Sequence, residues 1–208
     1  MSLNDLEIIG GEEVRKNLNP GDLENLVNVW MNETSPQVEA NALETHEAIQ
    51  EALDRKGKSD SLIDHLRESI DKGDMIIARV DGKIAGMVRV YDTGRKTKVK
   101  DVEYPFFEIG KALVLPEFRN QGIYKKLRAQ SIHHLREKAG DVLILTGTKS
   151  DYVKKIARDD GWEEIGFDNY LRIYGANEES IEAKHEERIK KDWTAFLHIP
   201  AALKQKLE

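Results

Sequence analysis

The sequence predicts a mixed α/β protein: a central sheet of about seven strands, flanked by helices, with an added C-terminal helix. Three observations predict it. The apolar spacing changes from helical to strand-like at residue 74. A long run apolar on both faces follows at 106–115. After that, helical and strand patterns alternate.

The elements follow in order. Residues 5–9 (DLEII) form a short strand. Asn19-Pro20-Gly21-Asp22 turns into a helix with Leu23, Leu26, Val27 and Trp30 on one face. A second helix spans about 36–56, with Val38, Ala42, Leu43, Ile49 and Leu53 on its stripe; Gly57 ends it. Ser61 and Asp64 resemble a capping box for a third, whose inner face is Leu62, Leu66 and Ile70. MIIARV and IAGMVRVY around Asp81-Gly82 make a β-hairpin. Residues 92–105, with Arg95, Lys96, Lys98 and Lys100, read as a loop or a frayed strand end.

FFEIGKALVL (106–115) is a buried central strand. PEFRNQG breaks it, and 122–139 is a helix with Ile123, Leu127, Ile132, Leu135 and Ala139 inward. DVLILTG (141–147) is a strand, and 151–159 a helix closed by Gly161. WEEIGF and NYLRIYG form a final hairpin. Residues 178–198 form a charged helix with Ile181, Ile189, Trp193, Phe196 and Leu197 on one side, stopped by Pro200. The expected division is a domain over 1–177 and a helical extension over 178–208, packed on that domain or on a partner subunit.

Composition narrows the function. The chain has 208 residues, 39% apolar and 34% charged, with net charge −6. An acidic balance argues against a nucleic-acid partner. No apolar run approaches the ~20 residues of a membrane helix. The N-terminus lacks the pattern of a secretory signal, so a cytoplasmic protein is expected. The absence of Cys excludes disulfides, thiolate metal sites and a Cys nucleophile. No metal is expected: His133 and His134 are adjacent and point about 100° apart, and His46 and His65 sit on different helices.

The stretch 106–127 carries most of the functional information. A strand ends at Leu115, Pro116 lies in the loop, and Gly122 opens a helix. Backbone N–H groups at a helix start, with the dipole behind them, bind anions. Gly122 lets an anion approach closely, and Arg119, Lys125 and Lys126 add positive charge. Neither GxxxxGK[ST] nor GxGxxG is present.

Arg119-Asn120-Gln121-Gly122-Ile123-Tyr124 resembles the acetyl-CoA signature of the GNAT (Gcn5-related) N-acetyltransferase superfamily, Arg/Gln-x-x-Gly-x-Gly/Ala. Tyr124 stands where Gly or Ala is usual, and would crowd the loop if its side chain faced it. The element order from 5 to about 174 also resembles that of the family. The resemblance implies acetyl-CoA as co-substrate. Leu113, Val114 and Leu115 would lie along the pantetheine arm, paired through backbone groups as by an added strand. Arg119, Asn120, Gln121, Gly122, Ile123, Tyr124 and Lys125 would hold the pyrophosphate.

Alternation puts Phe106, Glu108, Gly110, Ala112 and Val114 on one face. A partly desolvated carboxylate there suits a general base, because an ammonium of pKa ~10 must lose a proton before it attacks a thioester. Phe106-Phe107-Glu108-Ile109 also resembles the Phe-Ala-Glu-Ile of histone-acetyltransferase members. There the Glu is the base, at the same eleven-residue spacing to the signature. A Glu paired with a Lys at the sheet edge is the alternative.

In many members Asn-x-x-Ala-x-x-x-Tyr follows the next strand. Here Ser150 stands for the Asn, assigned to the cofactor site, and Ala157 for the Tyr acid. Tyr152 is the substitute acid. A thiolate leaving group, of thiol pKa ~8.5, makes a dedicated acid dispensable.

The resulting expectation is an acetyl-CoA-dependent N-acetyltransferase acting on a small-molecule or peptide amine by direct attack. The alternative is a non-catalytic CoA-binding or regulatory module acting through a partner. The Trp193 stripe suits a docked helix or a homodimer contact.

Overall fold

The computed structural model describes residues 5–18, 21–22, 24–26, 28, 63–64, 66–99, 102–148, 150–174, 179, 194–201 and 204. Among the described residues seven strands appear: β1 (Leu6–Gly10), β2 (Met75–Val80), β3 (Lys83–Val99), β4 (Val102–Val114), β5 (Leu143–Thr148), β6 (Glu163–Ile165) and β7 (Thr194–His198). They hydrogen-bond in the order β1-β2-β3-β4-β5-β7-β6. Four bounded helices accompany them: α1 (Glu12–Asn17), α2 (Ile123–Ala139), α3 (Asp151–Asp159) and α4 (Phe167–Ile173). The predicted mixed α/β class is the observed one.

The chain forms two compact units. The first comprises Met1–Arg89 and Lys111–Gln130. Here β1 pairs antiparallel with β2, which pairs antiparallel with β3. The hairpin turns at Asp81 and Gly82, both with positive φ, as the Asp-Gly signal predicts. Met75, Ile76, Ile77 and Ala78 are all buried, so β2 is covered on both faces. Ile9, Val14, Leu26, Leu66, Leu113 and Leu127 add to this core. Helix α1 was not expected from the sequence; it follows β1 directly, with Gly11 as its N-cap, and buries only Val14. The predicted helix near 21–30 is seen at 21–22, 24–26 and 28, and the third at 63–64 and 66–71. The second, about 36–56, lies outside the described residues, as do Leu23, Val27, Trp30, Ser61 and Leu62.

The second unit comprises Val90–Gly110 and Ser131–Glu208. Strands β4 and β5 run parallel through Phe106↔Leu143, Phe107↔Ile144 and Glu108↔Leu145. Beyond that ladder the buried Thr146 hydroxyl donates to the Ile109 carbonyl at 2.9 Å. Helix α3 ends as predicted at Gly161, where Trp162 N–H donates to Ala157 O and Gly161 N–H to Arg158 O.

Three expectations are corrected here. Residues 92–105 are mostly strand, because β3 extends to Val99 and β4 starts at Val102. Exposed polar side chains such as Asp92 and Arg95 read as loop, yet backbone pairing needs no apolar face. NYLRIYG is not the second strand of a hairpin: Phe167–Ile173 is helix, with Tyr170 N–H donating to Gly166 O. Thr194–His198 is a strand rather than the end of a charged helix, and it pairs antiparallel with both β5 and β6. The neighbour expected of NYLRIYG is thus supplied by a segment remote in sequence. Residues 180–193, including Ile181, Ile189 and Trp193, lie outside the described residues.

Candidate active site

In the first unit, β4 ends at Val114 and a single 3₁₀ turn, Pro116–Phe118, carries the chain to α2. Leu115 N–H donates to Ala85 O at 2.9 Å, which fixes the strand end. Phe118 N–H donates to Leu115 O at 2.9 Å. Arg119 Nε donates to Val114 O at 3.1 Å, so the exposed arginine folds back on the strand it follows. Asn120 and Gly122 then take positive φ of 61° and 74°. The first backbone bond of the helix runs from Lys126 N–H to Gly122 O. The N–H groups ahead of it point out of the helix start.

The backbone around Gly122 is exposed and unobstructed. A Cβ built on Gly122 meets no heavy atom within 4 Å, so the approach to its backbone is open. Arg119, Asn120 and Lys125 are exposed and Gln121 is half-buried, its Nε2 donating to Glu117 O. Ile123 is buried. Tyr124 is only 7% exposed, so its ring belongs to the core and does not crowd the loop. Residues fitting a pyrophosphate and its arm are therefore the backbone of Leu113 to Leu115 and of Asn120 to Lys125, with basic side chains beside them.

The second unit holds Glu108. Phe106, Phe107 and Ile109 around it are buried, while Glu108 and Gly110 are half-buried. The Glu108 carboxylate accepts a hydrogen bond from the Tyr174 hydroxyl. Tyr170 lies one helical turn before Tyr174, with ring centroids 4.8 Å apart. Burial first, and then the Glu108 charge, push the Tyr170 hydroxyl up to about 12. Burial and the hydrogen bond to Glu108 push Tyr174 up further. Both phenols therefore stay protonated across the ordinary pH range. Tyr91 lies over Gly110, next to Glu108.

Sequence reasoning missed Tyr91, Tyr170 and Tyr174. The four-residue spacing of Tyr170 and Tyr174 was the available signal, since it puts both on one helix face. Reading the segment as a strand hid it.

Ser150 and Tyr152 sit at the start of α3. Ser150 is its N-cap, with Oγ accepting from Val153 N–H at 3.4 Å. Tyr152 is 51% exposed. Ala157, where the resemblance would place a tyrosine, is fully buried. Among the described residues no group of three or more His, Asp or Glu stands ready for a metal, and no helix is long and apolar enough to cross a membrane.

A profile of the acetyltransferase (GNAT) domain matches residues 34–165, more than half of the chain, and the chain belongs to that family. No curated protein matches the sequence. Solved structures match the fold. A GCN5-related N-acetyltransferase from Kribbella flavida gives a TM-score of 0.54 at 15% identity over 79% of this chain, which spans only 34% of that one. PH1933 from Pyrococcus horikoshii OT3 gives 0.54 at 15% identity, covering 94% of this chain and 98% of the other. A chain of the NatC complex bound to Gag peptide and CoA gives 0.55 at 14% identity, covering 95% and 99%.

Proposed function

We propose that the chain is an N-acetyltransferase that moves an acetyl group from acetyl-CoA to a primary amine, with Glu108 as general base. The observation that carries the reading is the strand–helix junction, where Gly122 opens a helix start flanked by Arg119 and Lys125. Membership of the GNAT family and the CoA in the NatC structure support the choice of anion.

Acetyl-CoA supplies the acetyl group as a thioester. The backbone N–H groups of Asn120 to Lys125 hold its pyrophosphate, with the helix dipole behind them. Val114 and its neighbours on the β4 end align the arm. Glu108 takes a proton from the incoming ammonium, which frees the nitrogen lone pair for attack. Tyr152, exposed at the start of α3, is the proposed proton donor to the departing thiolate. A thiolate needs little help to leave, so losing Tyr152 should cost less than losing Glu108.

A second reading is a CoA-binding module without turnover. The buried Ala157 favours it, because no phenol stands at the usual acid position. Thermal melting with and without acetyl-CoA, followed by thiol release across an amine panel, separates the two. A raised melting point with thiol release supports the enzyme. A raised melting point without thiol release supports the module. No shift at millimolar acetyl-CoA overturns both.

A further inference from the structure

We propose that Tyr174 is the positioning residue for Glu108, its hydroxyl fixing one carboxylate oxygen and with it the orientation of the carboxylate. The inference rests on Glu108 being the base. Oε2 is the atom that accepts from the Tyr174 hydroxyl. Oε1 lies on the Gly110 side: a Cβ at Gly110 would stand 3.5 Å from Oε1 and 3.2 Å from Tyr91 Cε2. A side chain at Gly110 would press on both Tyr91 and the carboxylate, so the glycine leaves the pair its present arrangement.

Tyr174 is well placed to hold a geometry, because it is itself held. Its ring meets Phe106 edge-on, with centroids 5.7 Å apart and planes at 89°. Tyr170 packs on its other neighbour position, at 45°. Arg95 of β3 donates to the Tyr174 carbonyl, and its guanidinium carbon lies 6.0 Å from the ring centroid. That contact ties the end of α4 to β3. Among the described residues, groups near the carboxylate include Tyr91 from β3, Tyr170 from α4 and Tyr174 at the α4 C-cap, with Arg95 behind Tyr174.

Chemically, a phenol that stays protonated can only donate to a carboxylate. Donation to the ionised form favours that form, so Tyr174 keeps Glu108 ready to accept a proton. A carboxylate on a strand has rotamer freedom at three torsions, and a fixed donor removes most of it.

The test needs no knowledge of the amine. In the full chain labelled with carboxyl-¹³C glutamate, the Glu108 resonance is identified by its loss in Glu108→Gln. Tyr174→Phe keeps the ring packing and removes only the hydroxyl. The expected result is a Glu108 titration midpoint raised by about one pH unit, because the ionised form loses its donor. Tyr170→Phe should move it less. An unmoved midpoint in folded Tyr174→Phe overturns the proposal.

If Tyr174→Phe does not fold, ring-labelled tyrosine in Glu108→Gln gives the same answer from the other side. The Tyr174 titration should then fall toward the ordinary tyrosine value, and no movement overturns the pairing. Failure of the base reading looks different. Glu108→Gln would then release thiol from acetyl-CoA and amines at the wild-type rate while the titration shift persisted.

Discussion

The strand–helix junction of the first unit and the Glu108 cluster of the second solve different problems with different materials. The junction is backbone. Its N–H groups, the positive φ at Asn120 and Gly122, and the Arg119 bond to the Val114 carbonyl set its shape. The cluster is side chain. One carboxylate is held by a phenol carried on a separate helix, with further aromatic rings around it. A backbone site tolerates changes of side chain and is sensitive to φ. A side-chain site is indifferent to φ and fails when one polar atom is removed.

Glu108→Gln gives the largest expected effect and tests that contrast directly. Turnover should fall by about 10²–10⁴-fold, with its pH dependence flattened. The stabilisation by acetyl-CoA should survive, since the junction is untouched. If the thermal shift by acetyl-CoA disappeared too, the separation of the two regions would be wrong.

Gly86→Ala probes what fixes the strand end. A Cβ there would lie 2.6 Å from the Leu113 carbonyl oxygen and 3.3 Å from Val114 Cα. Backbone must shift, at a cost of about 1–3 kcal/mol, read as a lower midpoint in urea. An unchanged midpoint would mean that β3 and β4 can separate there freely.

Gly122→Ala should weaken acetyl-CoA binding by about tenfold in titration calorimetry, because a side chain at φ 74° is strained by about 1–2 kcal/mol. Turnover at saturating acetyl-CoA should change little. A fall in turnover without a change in affinity would shift the role of the junction from binding to chemistry.

The smallest effect is on alkaline stability. Tyr170 is raised from 10.0 to about 12 in the folded chain. Below pH 10 the phenol is neutral whether the chain is folded or not, so it adds no pH dependence. Between pH 10 and 12 the unfolded chain ionises first, and stability falls. Tyr170→Phe should flatten part of that decline in urea melts at pH 8 to 12. An identical slope would mean that the ring is less sequestered than its packing implies.

The residues of the proposed junction and of the proposed base stand out in the sequence. Arg119 and Gly122 could be read because an anion site at a helix start depends on a few consecutive residues and on the glycine among them. Glu108 could be read because a lone carboxylate on an apolar strand face stands out by alternation. Tyr174 could not be read. Its relevance depends on α4 being a helix and on where that helix ends, and NYLRIYG fits a strand pattern as well as a helical one. Strand β7 was hidden for the same reason. Phe196 and Leu197 continue an apparent helical stripe, and only the pairing partners offered by β5 and β6 select the extended form.

The sequence by itself determined the mixed α/β class, the β2–β3 hairpin at Asp81-Gly82, the strand–helix break around Gly122 and the carboxylate on β4. Each depends on neighbours within a few positions, where spacing and φ preference decide. Only the tertiary structure decided that β7 lies between β5 and β6, that Tyr124 is core, and that Tyr174 holds Glu108. These depend on contacts between residues as much as 66 positions apart, as for Glu108 and Tyr174. Local preference is too weak at those positions to choose among alternatives that long-range pairing and packing then resolve.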